Sequence, residues 1–236
     1  MRLTDKRKGL SPYGVVRRRI NTTAFRAALA ALCVAWGLGM SAAAAAGGPV
    51  KLLALGDSLT AGYGLPERQG FTVQLQEALA SRGYAVTVVN AGVSGDTTAG
   101  GLARLDWALA DKPDAAIVAL GANDMLRGLD PAAARANLDA ILTRLAAERI
   151  PTLLVGMYAS PSLGRAYGER FNAIYPDLAR HHGVPLYPFF LDGVAADPAL
   201  NQPDGIHPNA AGVKVLVERM APHVGRFLES IDKTGG

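Results

Sequence analysis

LLALGDSLTAGYG, residues 52–64, is a short apolar run that stops abruptly at Gly56-Asp57-Ser58. A run of strand length with no polar alternation suits a strand buried on both faces, the pattern of a parallel sheet. Outward from it, the same kind of segment recurs. With Val50 to Leu55 as the first strand, further strands are predicted over Tyr84–Asn90, Asp114–Gly121, Thr152–Met157 and Val184–Tyr187. Segments of helical period lie between them, near 71–82, 99–110, 131–148 and 166–182, with a last one near 209–230. Asp130-Pro131 opens one helix, Arg149-Ile150-Pro151 closes it, and Gly183 follows another. Five β/α pairs predict an α/β domain of three α/β/α layers, with a doubly wound five-stranded parallel sheet in the middle.

The 236 residues are half apolar, enough for one substantial core. A net charge of +4 suggests nucleic acid or an anionic membrane as partner, but the charge is unevenly placed. Residues 1–46 hold eight of the 24 basic residues and one of the 20 acids, which leaves 16 bases against 19 acids in the rest, a net −3. The folded part is not basic, and no nucleic-acid partner is expected. The N-terminus runs from KRK (6–8) and RRR (17–19) into a stretch without charge between Arg26 and Lys51 that ends in Ala44-Ala45-Ala46. It reads as a signal sequence with a long basic leader, cut before Gly47, so that residues 47–236 form a single domain in the periplasm or outside the cell. A retained anchor is the competing reading, because about 20 apolar residues span a bilayer; alanine and glycine make a weak span. After cleavage no membrane insertion is expected, and the domain is expected to be a monomer. Cys33, the only cysteine, follows Leu32, too large for a lipobox, so the mature domain has no disulfide and no thiol nucleophile.

In a doubly wound sheet, ligands sit beyond the carboxyl ends of the strands, so the residues after each strand carry the chemistry. These are Gly56-Asp57-Ser58 after the first strand, Asn90 to Asp96 after the second and Gly121-Ala122-Asn123-Asp124 after the third; Asp204-Gly205-Ile206-His207-Pro208 precedes the last helix. Singly, each has a plain structural reading. Ser58 can cap a helix, Asn123 and Asp124 can form an Asx-turn, and Asp204 can pair with His207 in a surface turn before Pro208 at a helix start. Together they supply what acyl transfer needs. Ser58 is a hydroxyl nucleophile, His207 an imidazole base and Asp204 a carboxylate to hold the imidazole. The backbone N–H groups of Ser58 and Gly95 and the amide of Asn123 are donors for an oxyanion. Thr60 occupies the place of the second glycine of a G-x-S-x-G elbow, and no Walker A or G-x-G-x-x-G loop is present. No cofactor is expected. Asp204 and His207 lack a third ligand at metal-site spacing.

GDSL (56–59), the glycine of SGDT (94–97), GAND (121–124) and DGIH (204–207) resemble, in order, the blocks of the SGNH or GDSL hydrolases, over essentially all of residues 50–230. LGDSLTAGYGL, VVNAGVSGDTTAGGLARL, YGERFNAIYPDLA and DGIHPNAAG are most similar to the bacterial periplasmic thioesterase/arylesterase/lysophospholipase group. The resemblance implies an SGNH-hydrolase, flavodoxin-like fold. It also implies a cofactor-free serine hydrolase of small acyl or aryl esters, with Ser58 as nucleophile, Gly95 and Asn123 as oxyanion donors, and Asp204 and His207 completing the triad. Ala122 departs from the GGND of close relatives and narrows the pocket without disabling Asn123. The loop from Tyr158 to Gly164 follows a strand end on the active side, and Tyr158, Pro161 and Leu163 are expected to line the rim of an acyl pocket. A carbohydrate O-acetylesterase of the same fold is the enzyme alternative, and a catalytically silent α/β binding module the other. Asp57 is read as stabilising its turn, His181 and His182 as complementing a helix C-terminus, His223 as a helix-face residue, and Trp107 as core or helix surface.

Overall fold

The computed structural model describes residues 48–232; the signal-sequence reading of residues 1–46, with Cys33, lies outside them. Five strands, β1 (Val50–Gly56), β2 (Val86–Gly92), β3 (Ala115–Ala119), β4 (Thr152–Val155) and β5 (Leu186–Tyr187), form one parallel sheet in the order β2-β1-β3-β4-β5. The order reverses between β1 and β3, which opens a crevice above their carboxyl ends. β1 from Leu52 onward and the whole of β3 are buried, as the apolar runs Leu52–Leu55 and Ala115–Ala119 require.

The helices are α1 (Ser58–Ala61), α2 (Phe71–Ala80), α3 (Thr98–Ala103), α4 (Leu105–Leu109), α5 (Ala122–Leu126), α6 (Pro131–Ala147), α7 (Arg165–Asn172), α8 (Ile174–His182) and α9 (Ala210–Asp232). α2 and α9 pack together on one face; α6 packs against α3 and α8 on the other, with α8 also meeting β4 and β5. Among the described residues no helix is long and apolar enough to cross a membrane.

Two segments expected as single helices are each divided. The one near 99–110 breaks at Arg104, whose φ of −106° and ψ of 9° leave the helical range. Its guanidinium instead reaches the Gly56 carbonyl (2.9 Å) and the Asp96 carboxylate (2.5 Å). The one near 166–182 breaks at Ala173, because Pro176 has no N–H to give to the carbonyl four residues earlier. The expected punctuation is otherwise present. Asp130 caps α6 by accepting from Ala132 N, Pro131 takes its first position, and Gly183 closes α8 at φ 65°. Trp107 lies on the surface of α4, 74% exposed.

Candidate active site

α1 begins directly at the end of β1, and the sheet's register explains how so short a helix can lie there. Gly56 pairs with Gly92 on β2 and with Ala119 on β3, so only small residues stand beneath α1. A Cβ at Gly92 would come within 2.3 Å of Ala61 N and 2.9 Å of Asp57 O; only a glycine lets the helix backbone come this close. Asp57, fully buried, is the residue that caps α1, its Oδ1 accepting from Leu59 N at 3.0 Å. Capping by Asp57 leaves the Ser58 hydroxyl available for another partner.

That partner is His207, whose Nε2 lies 2.9 Å from Ser58 Oγ. His207 Nδ1 is 2.7 Å from Asp204 Oδ2, and Asp204 Oδ1 accepts from the backbone N–H groups of Ile206 and His207, both at 3.0 Å. The hydrogen bond from the His207 ring, then the one from its backbone, hold the Asp204 carboxyl down at about 2. An ionised carboxylate only accepts, so Nδ1 carries the proton and Nε2 is the acceptor facing the serine. The Tyr63 ring lies against the His207 ring at 4.5 Å between centroids.

The β2–α3 and β3–α5 loops meet beside this chain. Asn123 Nδ2 donates to the Asp96 carbonyl at 2.9 Å, and its second contact, to Asp57 Oδ2, is long at 3.4 Å. Asp124, also buried, accepts from Thr98 N (2.8 Å) and Thr98 Oγ1 (2.7 Å), so Asn123 and Asp124 reach across to the neighbouring loop rather than forming a local Asx-turn. Gly95, at φ 86°, is exposed one residue before Asp96, and its carbonyl accepts from Arg127 Nη2 at 2.7 Å. Burial pushes the Asp57 carboxyl up to about 6 and the nearby Asp124 adds to this, while the Leu59 N–H and His207 oppose it.

Ser58, Asn123 and His207 open into one cavity of about 430 Å³, walled by apolar residues that include Met125, Met157, Phe189 and Leu191. Tyr158 and Pro161 are among the residues that line it. Leu163 is not part of the lining; it sits half-buried on the 3-10 turn Pro161–Leu163. The sequence reading missed Arg104, which holds both the end of β1 and the β2–α3 loop; a lone cation amid GGLARL was the available signal. It also missed Phe189 and Leu191, which nothing in the linear pattern separates from core residues. Among the described residues, Asp139, His181 and His182 bring ligand atoms within 4.8 Å of one another, but none of them lines this cavity. His182 pairs with Asp139 (2.7 Å), and His223 contacts Tyr187 from α9.

The family model for "GDSL-like Lipase/Acylhydrolase" matches residues 54–215. The chain is 44% identical to "Esterase TesA" of Pseudomonas aeruginosa over 172 residues, 72% of this chain and 86% of that protein. It is 41% identical to "Thioesterase 1/protease 1/lysophospholipase L1" of Escherichia coli over 171 residues, 72% of this chain and 81% of that one. The crystal structure of AlinE4, described as an SGNH-hydrolase family esterase, superposes with a TM-score of 0.65 at 49% identity, covering 76% of this chain and 97% of AlinE4. The ordered blocks, the strand order and these likenesses agree: the chain belongs to the GDSL-like lipase/acylhydrolase family and is an ester hydrolase.

Proposed function

We propose that the protein is an exported serine hydrolase of acyl and aryl esters, extending to thioesters and lysophospholipids, that works through Ser58, His207 and Asp204. The observation that carries this reading is the continuous hydrogen-bonded chain from Asp204 Oδ2 through the His207 ring to Ser58 Oγ, opening into an apolar cavity. Ser58 Oγ attacks the carbonyl carbon as His207 Nε2 takes its proton, and Asp204 holds the imidazole in the tautomer that can accept it. The carbonyl electron pair moves onto oxygen, where the backbone N–H groups of Ser58 and Gly95 and the Asn123 amide stabilise it. Collapse breaks the bond to the leaving oxygen or sulfur, which receives the proton from Nε2. Water then repeats the sequence on the acyl-enzyme, releasing the acid and restoring Ser58.

The apolar cavity favours this reading over a carbohydrate O-acetylesterase, since an acetyl group needs no such volume. A panel of p-nitrophenyl butyrate and octanoate, octanoyl thioester and acetylated xylan tests it, with octanoyl substrates expected to turn over far faster than the xylan. Ser58→Ala is expected to abolish turnover and labelling by a fluorophosphonate without changing the circular dichroism spectrum. An alanine variant that keeps near-normal turnover would overturn the nucleophile assignment.

A further inference from the structure

Two of the four histidines, His181 and His182, stand at the end of α8 with an acidic partner across a helix interface, and none of the three lines the substrate cavity. The partner, Asp139, comes from α6, which packs against α8. Its Oδ1 lies 2.7 Å from His182 Nε2. One ligand atom from each of the three residues falls within 4.8 Å of the other two.

Helix geometry does not by itself bring neighbouring histidines together, because successive side chains leave the axis about 100° apart. Here the two ring centroids are 4.9 Å apart, edge to face. The backbone end of α8 holds both Cβ atoms in place. Gly183 turns at φ 65°, and its N–H and that of Val184 both donate to the Ala179 carbonyl. The His182 side chain is only 11% exposed and is held by packing between the helices, whereas His181 is exposed and Asp139 half-exposed, so both of these can turn.

Two imidazole nitrogens and one carboxylate oxygen are a donor set for zinc and its neighbours in the first transition row; magnesium and calcium prefer oxygen alone. The spacing suits such an ion. Around a tetrahedral zinc with bonds of about 2.1 Å, ligand atoms lie about 3.4 Å apart. The His182–Asp139 contact would open by about 0.7 Å and no other pair would close by more than about 1.4 Å, movements that side-chain torsions supply. The negative end of the α8 dipole adds to the attraction for a cation. The arginines nearest in sequence, Arg135 and Arg180, both pair with Asp177.

We propose that Asp139, His181 and His182 form a binding site for a divalent transition ion of the zinc class, which fastens the end of α8 to α6. Water completes the coordination on the exposed side. The ion takes no part in ester hydrolysis. The three ligands meet only when the two helices are packed, so binding favours the folded protein by mass action.

The experiment strips tag-free protein with a chelator and titrates it with zinc chloride by calorimetry, with Tm and the imidazole NMR signals followed alongside. One equivalent of zinc is expected to bind, to raise Tm, and to shift the rings of His181 and His182 while those of His207 and His223 stay in place. Calcium and magnesium chlorides should do none of this. His181→Gln and, independently, Asp139→Asn should keep the circular dichroism spectrum and weaken zinc binding at least tenfold. His207→Asn should bind zinc as tightly as the wild type. A Tm that zinc does not raise, an unchanged affinity in either of the first two variants, or a loss of binding in His207→Asn overturns the site. A kcat that changes in step with zinc occupancy overturns the separation of the ion from hydrolysis.

Discussion

Asp57 shows how much one buried side chain can hold in tension. It is fully buried, caps α1 and contacts the Asn123 amide, and burial raises its carboxyl from 3.8 to about 6. Because the folded value lies above the unfolded one, the folded protein binds the proton more tightly between about pH 4 and pH 6. Its carboxyl therefore favours the fold most below about pH 4, and that contribution is lost as pH rises through 6. A shift of about two units corresponds to about 3 kcal/mol. Asp57→Asn keeps an acceptor for Leu59 N and removes the charge, so its stability relative to wild type should climb from pH 4 to pH 7, by up to about 3 kcal/mol. Urea unfolding at four pH values measures this, and a difference that stays constant with pH would contradict the assignment. Asn123 poses a related question, since the amide that ties two loops through Asp96 is also the one assigned to the oxyanion. Asn123→Ala should lower kcat by roughly 10² to 10³-fold, with KM within about threefold and a loss of stability near 1 kcal/mol. If the variant melts much earlier yet keeps most of its kcat, Asn123 is a loop tie and nothing more.

At the level of elements, what the sequence made legible is what depends on local pattern. The central strands β1, β3 and β4 follow from apolar runs buried on either face, whereas the edge strands β2 and β5 are partly exposed, and the ends of α6 and α8 follow from Asp130, Pro131 and Gly183. The breaks at Arg104 and Ala173 were less visible, the first because a long-range contact to Gly56 and Asp96 overrides helical periodicity, the second because Pro176 acts one turn upstream of itself. The four polar blocks were readable because each stands at a strand end or a helix entry. Phe189 and Leu191 were not, since only the packing of the β5–α9 connection turns them toward the cavity. The seating of α1 on β2 makes a prediction of its own. Gly92→Ala drives a methyl group into the backbone of Ala61 and Asp57, and these atoms cannot yield without moving Ser58. It should cost about 1–3 kcal/mol of stability and slow fluorophosphonate labelling by roughly 10²-fold, since a displacement near 1 Å is enough for that. Gly168 on α7 is the contrast. A Cβ there meets nothing within 4 Å and its φ is not positive, so Gly168→Ala should stabilise by about 0.5–1 kcal/mol and leave labelling unchanged. Equal effects of the two substitutions on labelling would mean that the seating of α1 does not govern Ser58.

Across the whole molecule, the strand order is the step from pattern to site that the sequence alone left open. Apolar runs specify five parallel strands but not which are neighbours; with β1 between β2 and β3, the loops carrying Ser58, Gly95 and Asn123 are brought together, and the Asp204–His207 segment reaches them from the entrance to α9. The charge divides near residue 46, with a net −3 beyond it and eight basic residues before it. A basic leader followed by an uncharged segment and small residues at a cleavage position is what a secretion signal requires, and neither part contributes a residue to the proposed chemistry. On the proposed export, the chain should be cut near Gly47 and the processed protein should retain full activity. Intact mass of the periplasmic and culture fractions, read beside esterase activity in each, decides this. A mass that still includes residues 27–46, with activity confined to the membrane fraction, would mean that the alanine-rich segment is kept as an anchor and that the enzyme works tethered to the bilayer.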